Sequence, residues 1–427
     1  MTAWLAAVAL ACVVALGGAL IDRMCSLDFA TLGPARWVAR LLLGLLAAFA
    51  LALHPLAALL LGATLALARR WPAARHPTAV VVLAAPTWVA FAVVVALSTL
   101  RPLTPIYWDE WVWLAKSRLF ADGPRALVQA ALDPAAGVVP AGYPLFWSWA
   151  TGLLAWPSAE APALVAAAGV LVLACCGAFL AAFDSLVARS KPFAAVGALG
   201  LLLLTPMVVV HARARYVDLP VGLLAATLTL AMCAPTRTAR AWPALVAAVL
   251  VACKDEGLVH ALAVMGAVVA LGDRSRVALR RVALPFTAAL ATFGAWRALL
   301  VAHGVEDGDH QIGAPAFDAL ADLTRALAGH LLDLRSWGLL WPVVLGAAIA
   351  VGMRSSRFAP RTRQAAAALA AQSVALAAVV LCGPERVQVF ATSGTLINRL
   401  LVQLAPAACV VVALVATDLA SDESPRE

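Results

Sequence analysis

The residues best suited to chemistry stand together at Tyr107-Trp108-Asp109-Glu110-Trp111-Val112-Trp113-Leu114-Ala115-Lys116-Ser117-Arg118. Two adjacent carboxylates are set among three tryptophans, directly after an apolar segment. A helix starting near Asp109 places Asp109, Trp113 and Lys116 on one face by i, i+4, i+7 spacing. Its tryptophans would lie at the headgroup level of a membrane, where indole rings are favoured. A carboxylate held at that boundary is partly desolvated, which raises its basicity and suits it to take a proton. The plain alternative is an anchor helix whose acids face water, and residue types alone leave both readings open.

Other groups follow along the chain. Pro140-Ala141-Gly142-Tyr143-Pro144-Leu145 breaks the chain before an aromatic run, Phe146 to Trp149, that is too short to span a membrane comfortably. His211-Ala212-Arg213-Ala214-Arg215-Tyr216-Val217-Asp218 offers two guanidinium forks to a phosphate, or an Arg–Asp pair that closes a helical turn. Lys254-Asp255-Glu256-Gly257 puts three ionisable residues between two apolar halves, where burial is costly without a task; a polar turn is the alternative. From Glu385-Arg386 through Thr392-Ser393-Gly394-Thr395 and Asn398, the chain reaches Arg399 at a helix start. Arg399 either snorkels to headgroups or clamps an anion. The stretch His303 to His310 is acidic and Gly-rich but matches no zinc or calcium spacing. Most of the eight cysteines sit in apolar segments without metal spacing, and adjacent Cys175 and Cys176 read as packing.

The elements that must position these groups are membrane helices. Of 427 residues, 64% are hydrophobic and 13% charged, against about 25% charged in a soluble domain. That excludes a single water-soluble fold, a disordered chain and a collagen-like one. The net charge of +8 is scattered in short clusters between apolar segments. There is no basic run with interleaved aromatics, which excludes nucleic acid as a partner. Lysine occurs only at Lys116, Lys191 and Lys254, a bias that reads as base composition.

Apolar segments at 3–21, 41–68, 78–100, 161–183, 193–210, 216–234, 240–253, 257–272, 282–302, 336–353, 364–382 and 400–418 predict about twelve crossings of ~20 residues each. The first lacks a basic start and a small-residue cleavage site, so it reads as a retained helix. Basic residues gather in five short loops: Arg69, Arg70 and Arg75; Arg189 and Lys191; Arg237 and Arg240; Arg274, Arg276, Arg280 and Arg281; and Arg354, Arg357, Arg361 and Arg363. The positive-inside bias puts these loops, and with them both termini, in the cytoplasm. The outward loops are then 22–40, 101–160, 211–218, 254–256, 303–335 and 383–399. Nearly every group named above falls in them.

In this order the motifs resemble the integral-membrane glycosyltransferases of the GT-C superfamily, particularly the bacterial relatives of protein mannosyltransferases and lipid A aminoarabinose transferases. The resemblance rests on four features: Asp109-Glu110 in a long outward loop; Tyr143-Pro144-Leu145 at the entry to the next helix; Arg213, Arg215, Tyr216, Asp218 and Pro220; and Lys254, Glu256 and Gly257. It covers roughly residues 78–405. It implies an all-α polytopic fold of about 12 transmembrane helices, with short interfacial helices in the outward loop. It also implies transfer of a sugar, with inversion, from a polyprenyl-phosphate donor to an extracytoplasmic acceptor at the bacterial inner membrane. By carry-over, Asp109 is the general base and Glu110 orients it or helps to hold a metal. The donor phosphate falls to Lys116, Arg213, Arg215, Lys254 and Arg399, with Tyr143, Asp218 and Glu256 beside them. A divalent cation is compatible with these carboxylates, but the sequence does not require one.

The pattern departs from the family in two respects. Three apolar segments precede the acidic pair where the family has one, so residues 1–77 read as an addition to a catalytic module at 78–418. The tail 419–427 is short and polar and reads as cytoplasmic, which leaves acceptor recognition to the outward loops. The competing class is a transporter or flippase of lipid-linked envelope precursors, expected to carry ionisable residues at mid-membrane and inverted repeats. No internal repeat is evident, and the charged residues lie at segment ends. A third class is an assembly factor with decayed catalytic groups, against which the intact Asp109-Glu110 pair counts.

Overall fold

The structure, a computed structural model, describes residues 1–25, 27, 29–32, 35–69, 83–105, 108–136, 142–188, 191–234, 241–271, 276–305 and 312–422. In chain order the helices are α1 (Thr2–Cys25), α2 (Ala35–Leu53), α3 (Pro55–Arg69), α4 (Ala85–Thr99), α5 (Trp108–Arg118), α6 (Ala126–Leu132), α7 (Phe146–Ala155), α8 (Ala161–Phe183), α9 (Pro192–Leu203) and α10 (Pro206–Ala214). They continue as α11 (Asp218–Cys233), α12 (Ala241–Cys253), α13 (Glu256–Leu271), α14 (Arg276–Ala302), α15 (Leu320–Leu331), α16 (Leu334–Trp337), α17 (Leu340–Met353), α18 (Pro360–Cys382), α19 (Glu385–Thr392) and α20 (Thr395–Asp422). Among the described residues every regular element is helical, as expected for a chain whose backbone polar groups must be satisfied inside lipid. Helices α4, α8, α9, α10 and α18 each carry a proline in the first turn, where its missing N–H costs no hydrogen bond.

The protein is an all-α membrane protein. Among the described residues six helices (α1, α2, α8, α14, α18 and α20) are long and apolar enough to cross a bilayer. A seventh candidate is the pair α9 and α10, bent by 70° at the break before Pro206. Helices α4, α11, α12, α13 and α17 are apolar but span only 13 to 16 residues. The outward loop of the sequence reading contains the short helices α5, α6 and α7. Helix α7 packs on α5, with Ser148 Oγ donating to the Trp113 carbonyl at 3.1 Å.

The N-terminal third corrects the sequence reading. The segment 41–68, taken as one crossing, is two helices that separate at His54 and fold back on each other. A small cavity brings Leu43 and Leu46 of α2 together with Leu61 and Leu65 of α3. The cause is Pro55, which cannot continue a helix and pushes the preceding residue to extended geometry. One extra reversal inverts everything before it. Trp4, in the first turn of α1, stacks against Arg215 at 5.3 Å, at the end of the bundle that holds the candidate site. The connection between α1 and α2 lies at the other end, where Phe29 meets Trp242 at the start of α12. The loop 22–40 is therefore opposite to 101–160, and the start of α1 and the last described turn of α20 lie at opposite ends of the bundle. The inversion carries Arg23, Arg36 and Arg40 to the Arg-rich end, where Arg40 pairs with Asp22 at 3.0 Å.

Three contacts at that end join the described borders of the basic loops. Asp184 accepts from the Ala84 N–H (2.8 Å) and the Thr87 hydroxyl (3.0 Å) at the start of α4. Asp418 accepts from the Ala359 N–H (2.8 Å) and the Thr362 hydroxyl (2.7 Å) at the start of α18. Arg281 donates to the Ala234 carbonyl at the end of α11.

Candidate functional site

At the opposite end an ion cluster is assembled from distant parts of the chain. Asp218, the first residue of α11, is fully buried. Its Oδ1 accepts from Lys254 Nζ (2.9 Å) and Gln403 Nε2 (2.8 Å), and its Oδ2 from Arg399 Nε (2.9 Å). Lys254, in the tight turn between α12 and α13, also meets Glu256 Oε1 at 2.8 Å. Two glycines allow this approach. A Cβ at Gly222 would lie 2.5 Å from the Gln403 carbonyl oxygen, and one at Gly257 would lie 2.1 Å from the Leu250 carbonyl oxygen. The backbones of α11 and α20, and of α12 and α13, can therefore touch only where no side chain intervenes. The Arg–Asp turn within the stretch that holds Arg213, Arg215 and Asp218 is not formed, because the described side-chain partners of Asp218 come from elsewhere in the chain.

Tyr143 joins this cluster to α5. Its ring lies 6.0 Å from Lys254 Nζ and 5.9 Å from Lys116 Nζ, and meets Trp113 edge-on at 6.1 Å. Lys116 also sits 5.4 Å from the Trp113 ring. The predicted face carrying Trp113 and Lys116 therefore exists and points into the cluster, whereas Trp111 is half exposed. The side chain of Asp109, the expected base on that face, lies outside the described residues. Trp296 Nε1 donates to the Gly142 carbonyl at 2.7 Å and fixes the turn that presents Tyr143. Burial, with Glu256 beside it, pushes the Tyr143 phenol well above its usual value, so the hydroxyl stays neutral. Burial pulls the Lys116 ammonium down to about 8.

A second group stands next to the first. Glu110 is buried and paired with Arg101 at 2.6 Å. Arg101 donates in addition to the Thr104 carbonyl (2.9 Å) and to the Arg213 carbonyl. This links the end of α4, helix α5 and the end of α10. The Arg213 side chain is exposed. Arg215 turns inward, donating to the Val165 (2.7 Å) and Ser98 (2.6 Å) carbonyls. Its φ of 59° is unusual for a residue with a Cβ, and these bonds together with the Trp4 contact hold it there.

Of the residues singled out from sequence, Lys116, Tyr143, Asp218, Lys254, Glu256 and Arg399 thus come together. Glu110 adjoins them with Arg101, Arg213 faces outward, and Arg215 braces three helices. Sequence reasoning missed Arg101, Gln372, Gln403 and His260. Arg101 follows an apolar segment and precedes Glu110 by nine positions; the other three are polar residues inside apolar segments, a signal of task or pairing. Pro140 and Glu306 to His310 lie outside the described residues. Among the described residues no three His, Cys, Asp or Glu side chains converge as metal ligands. The arrangement offers Lys116 and Arg399 with Lys254 to an anion, and a neutral phenol as a hydrogen-bond donor. No known protein family, curated protein or solved structure matches this chain.

Proposed function

We propose that the chain is an integral-membrane glycosyltransferase that moves a sugar from a polyprenyl-phosphate donor to an acceptor on the outward face of a bacterial cytoplasmic membrane. The observation that carries this reading is the convergence of Lys116, Tyr143, Lys254 and Arg399 beside α5, the helix that bears Asp109. In the reaction, Asp109 takes the proton of the acceptor hydroxyl as its oxygen attacks the anomeric carbon from the face opposite the phosphate. The bond from that carbon to the phosphate oxygen breaks, and the electron pair leaves on the phosphate. Lys116, Lys254 and Arg399 stabilise the charge that builds there, and Arg213 stands at the rim for the carrier lipid. Glu110, tied to Arg101, fixes the pitch of α5. Helix α3 and the five shorter apolar helices cross the membrane with the seven longer candidates, giving about thirteen crossings.

A second reading, a transporter of lipid-linked precursors, draws on one observation. His260, Gln372 and Gln403 carry polar contacts from the cluster into the helices, and such groups inside a membrane commonly mark a translocation path. Mass spectrometry of envelope lipids, glycans and proteins from a strain lacking the gene separates the two. Restoration of one missing sugar by wild type but not by Asp109→Asn supports transfer. Equal rescue by Asp109→Asn, or accumulation of an unflipped precursor, supports transport.

A further inference from the structure

Behind the ion cluster, on α13, His260 is completely buried. Its Nδ1 lies 2.7 Å from Oε1 of Gln372 on α18, and its Nε2 lies 3.0 Å from Oε1 of Gln403 on α20. The far ends of the two amides decide which atoms face the ring. Gln403 Nε2 stands 2.8 Å from Asp218 Oδ1, and Asp218, held between Lys254 and Arg399, is a carboxylate that only accepts. Its neighbour must therefore be the amide nitrogen, which leaves the oxygen toward His260. Gln372 Nε2 donates to the Ala368 carbonyl at 3.0 Å, another group that only accepts, so its oxygen also faces the ring. An imidazole nitrogen opposite an oxygen acceptor must carry a hydrogen. Here both nitrogens do.

We infer that His260 is a doubly protonated imidazolium inside the helix bundle and positions Asp218 through Gln403. Hydrogen-bond direction runs one way, from His260 to the Gln403 oxygen and from the Gln403 nitrogen to Asp218. This holds Asp218 in the orientation that sets Lys254 and Arg399 side by side. The charged groups bearing on the ring are Glu256 in the first turn of its own helix and Lys254 just before it; Asp218 of α11 is reached through Gln403, and Arg399 of α20 pairs with Asp218. Helix α18 presents Gln372. The inference does not depend on sugar transfer, since the same network serves any ligand that Lys254 and Arg399 hold.

The test is solid-state NMR of the full chain in lipid bilayers with 15N-labelled histidine. At about pH 8, exposed histidines with an ordinary value near 6.5 are neutral and show one unprotonated ring nitrogen each. The signals lost in His260→Gln belong to His260. Both are expected to be of the protonated type in the wild-type chain. Gln403→Leu is expected to convert one of them, and Gln372→Leu the other, to an unprotonated nitrogen. An unprotonated His260 nitrogen in the wild-type chain overturns the inference. So does a pair of folded glutamine variants that leave the His260 signals unchanged.

Discussion

At the Arg-rich end of the bundle, Asp184 and Asp418 each accept from a backbone N–H and a threonine hydroxyl at the start of another helix. At the other end, Asp218 is met by three side chains, Lys254, Arg399 and Gln403, and Glu256 is met by Lys254. Asp184 and Asp418 on one side and Asp218 on the other are satisfied in opposite ways. Backbone donors have no other partner to take up, so a carboxylate satisfied by them acts as a helix cap from outside the helix. Side-chain cations can share themselves with an incoming anion, so a carboxylate satisfied by them keeps those cations in place until a ligand comes. By this measure Asp184 and Asp418 belong to the framework, whereas the Asp218 cluster keeps cations that a ligand could share.

The largest effect expected from this contrast is at Lys254. Lys254→Met leaves Asp218 and Glu256 short of a shared partner and should cost about 3–5 kcal/mol of stability, because a buried charge is left uncompensated. Chemical unfolding of the purified protein in detergent measures it. A Lys254→Met, Asp218→Asn double variant should lose less than the single one. Next in size, Asp418→Asn should cost about 1–2 kcal/mol, the scale of a lost cap, while activity per folded molecule stays unchanged. A drop in activity at constant stability would break the division between the two ends.

A smaller effect follows from Lys116. Because burial lowers its value to about 8, it is charged below that pH and neutral above it. Affinity for a phosphate-bearing lipid should fall as pH rises through about 8, by roughly tenfold if one charge-assisted contact is lost. Lys116→Arg should remove the step, since arginine stays charged. Stability should move the other way. Between about 8 and the ordinary value of 10.5 the unfolded chain binds the extra proton, so folding is favoured as pH rises across that window. Least affected should be Arg399→Lys, which keeps the charge but loses the planar fork, and a few-fold weaker binding of the same lipid is expected.

Much of the site was legible because its residues interrupt apolar sequence. Lys254, Glu256 and Asp218 stand out as charges between hydrophobic runs, and they do meet. Which partner each would choose was not legible. Asp218 was weighed against the arginines of its own stretch, Arg213 and Arg215, yet it binds Arg399, 181 positions on. Only the packing of α11 against α20, made possible by Gly222, brings these together. The helices were legible from hydropathy, but their directions at the N-terminus were not. The apolar run through His54 and Pro55 shows no polar gap, and the proline was the one sign of a reversal. His260 went unnoticed because a single polar residue in an apolar helix says nothing of the two glutamines that face it.

The most direct test of the account uses native mass spectrometry of the purified chain in the presence of polyprenyl phosphate and, separately, of the matching polyprenyl alcohol. If the side-chain-satisfied end holds a lipid phosphate, the phosphate form should bind and the alcohol should not, and binding should weaken in Arg399→Gln and Lys116→Gln while persisting in Asp418→Asn. Equal binding of the two lipids, or variants at Arg399 and Lys116 that bind as wild type does, would contradict it.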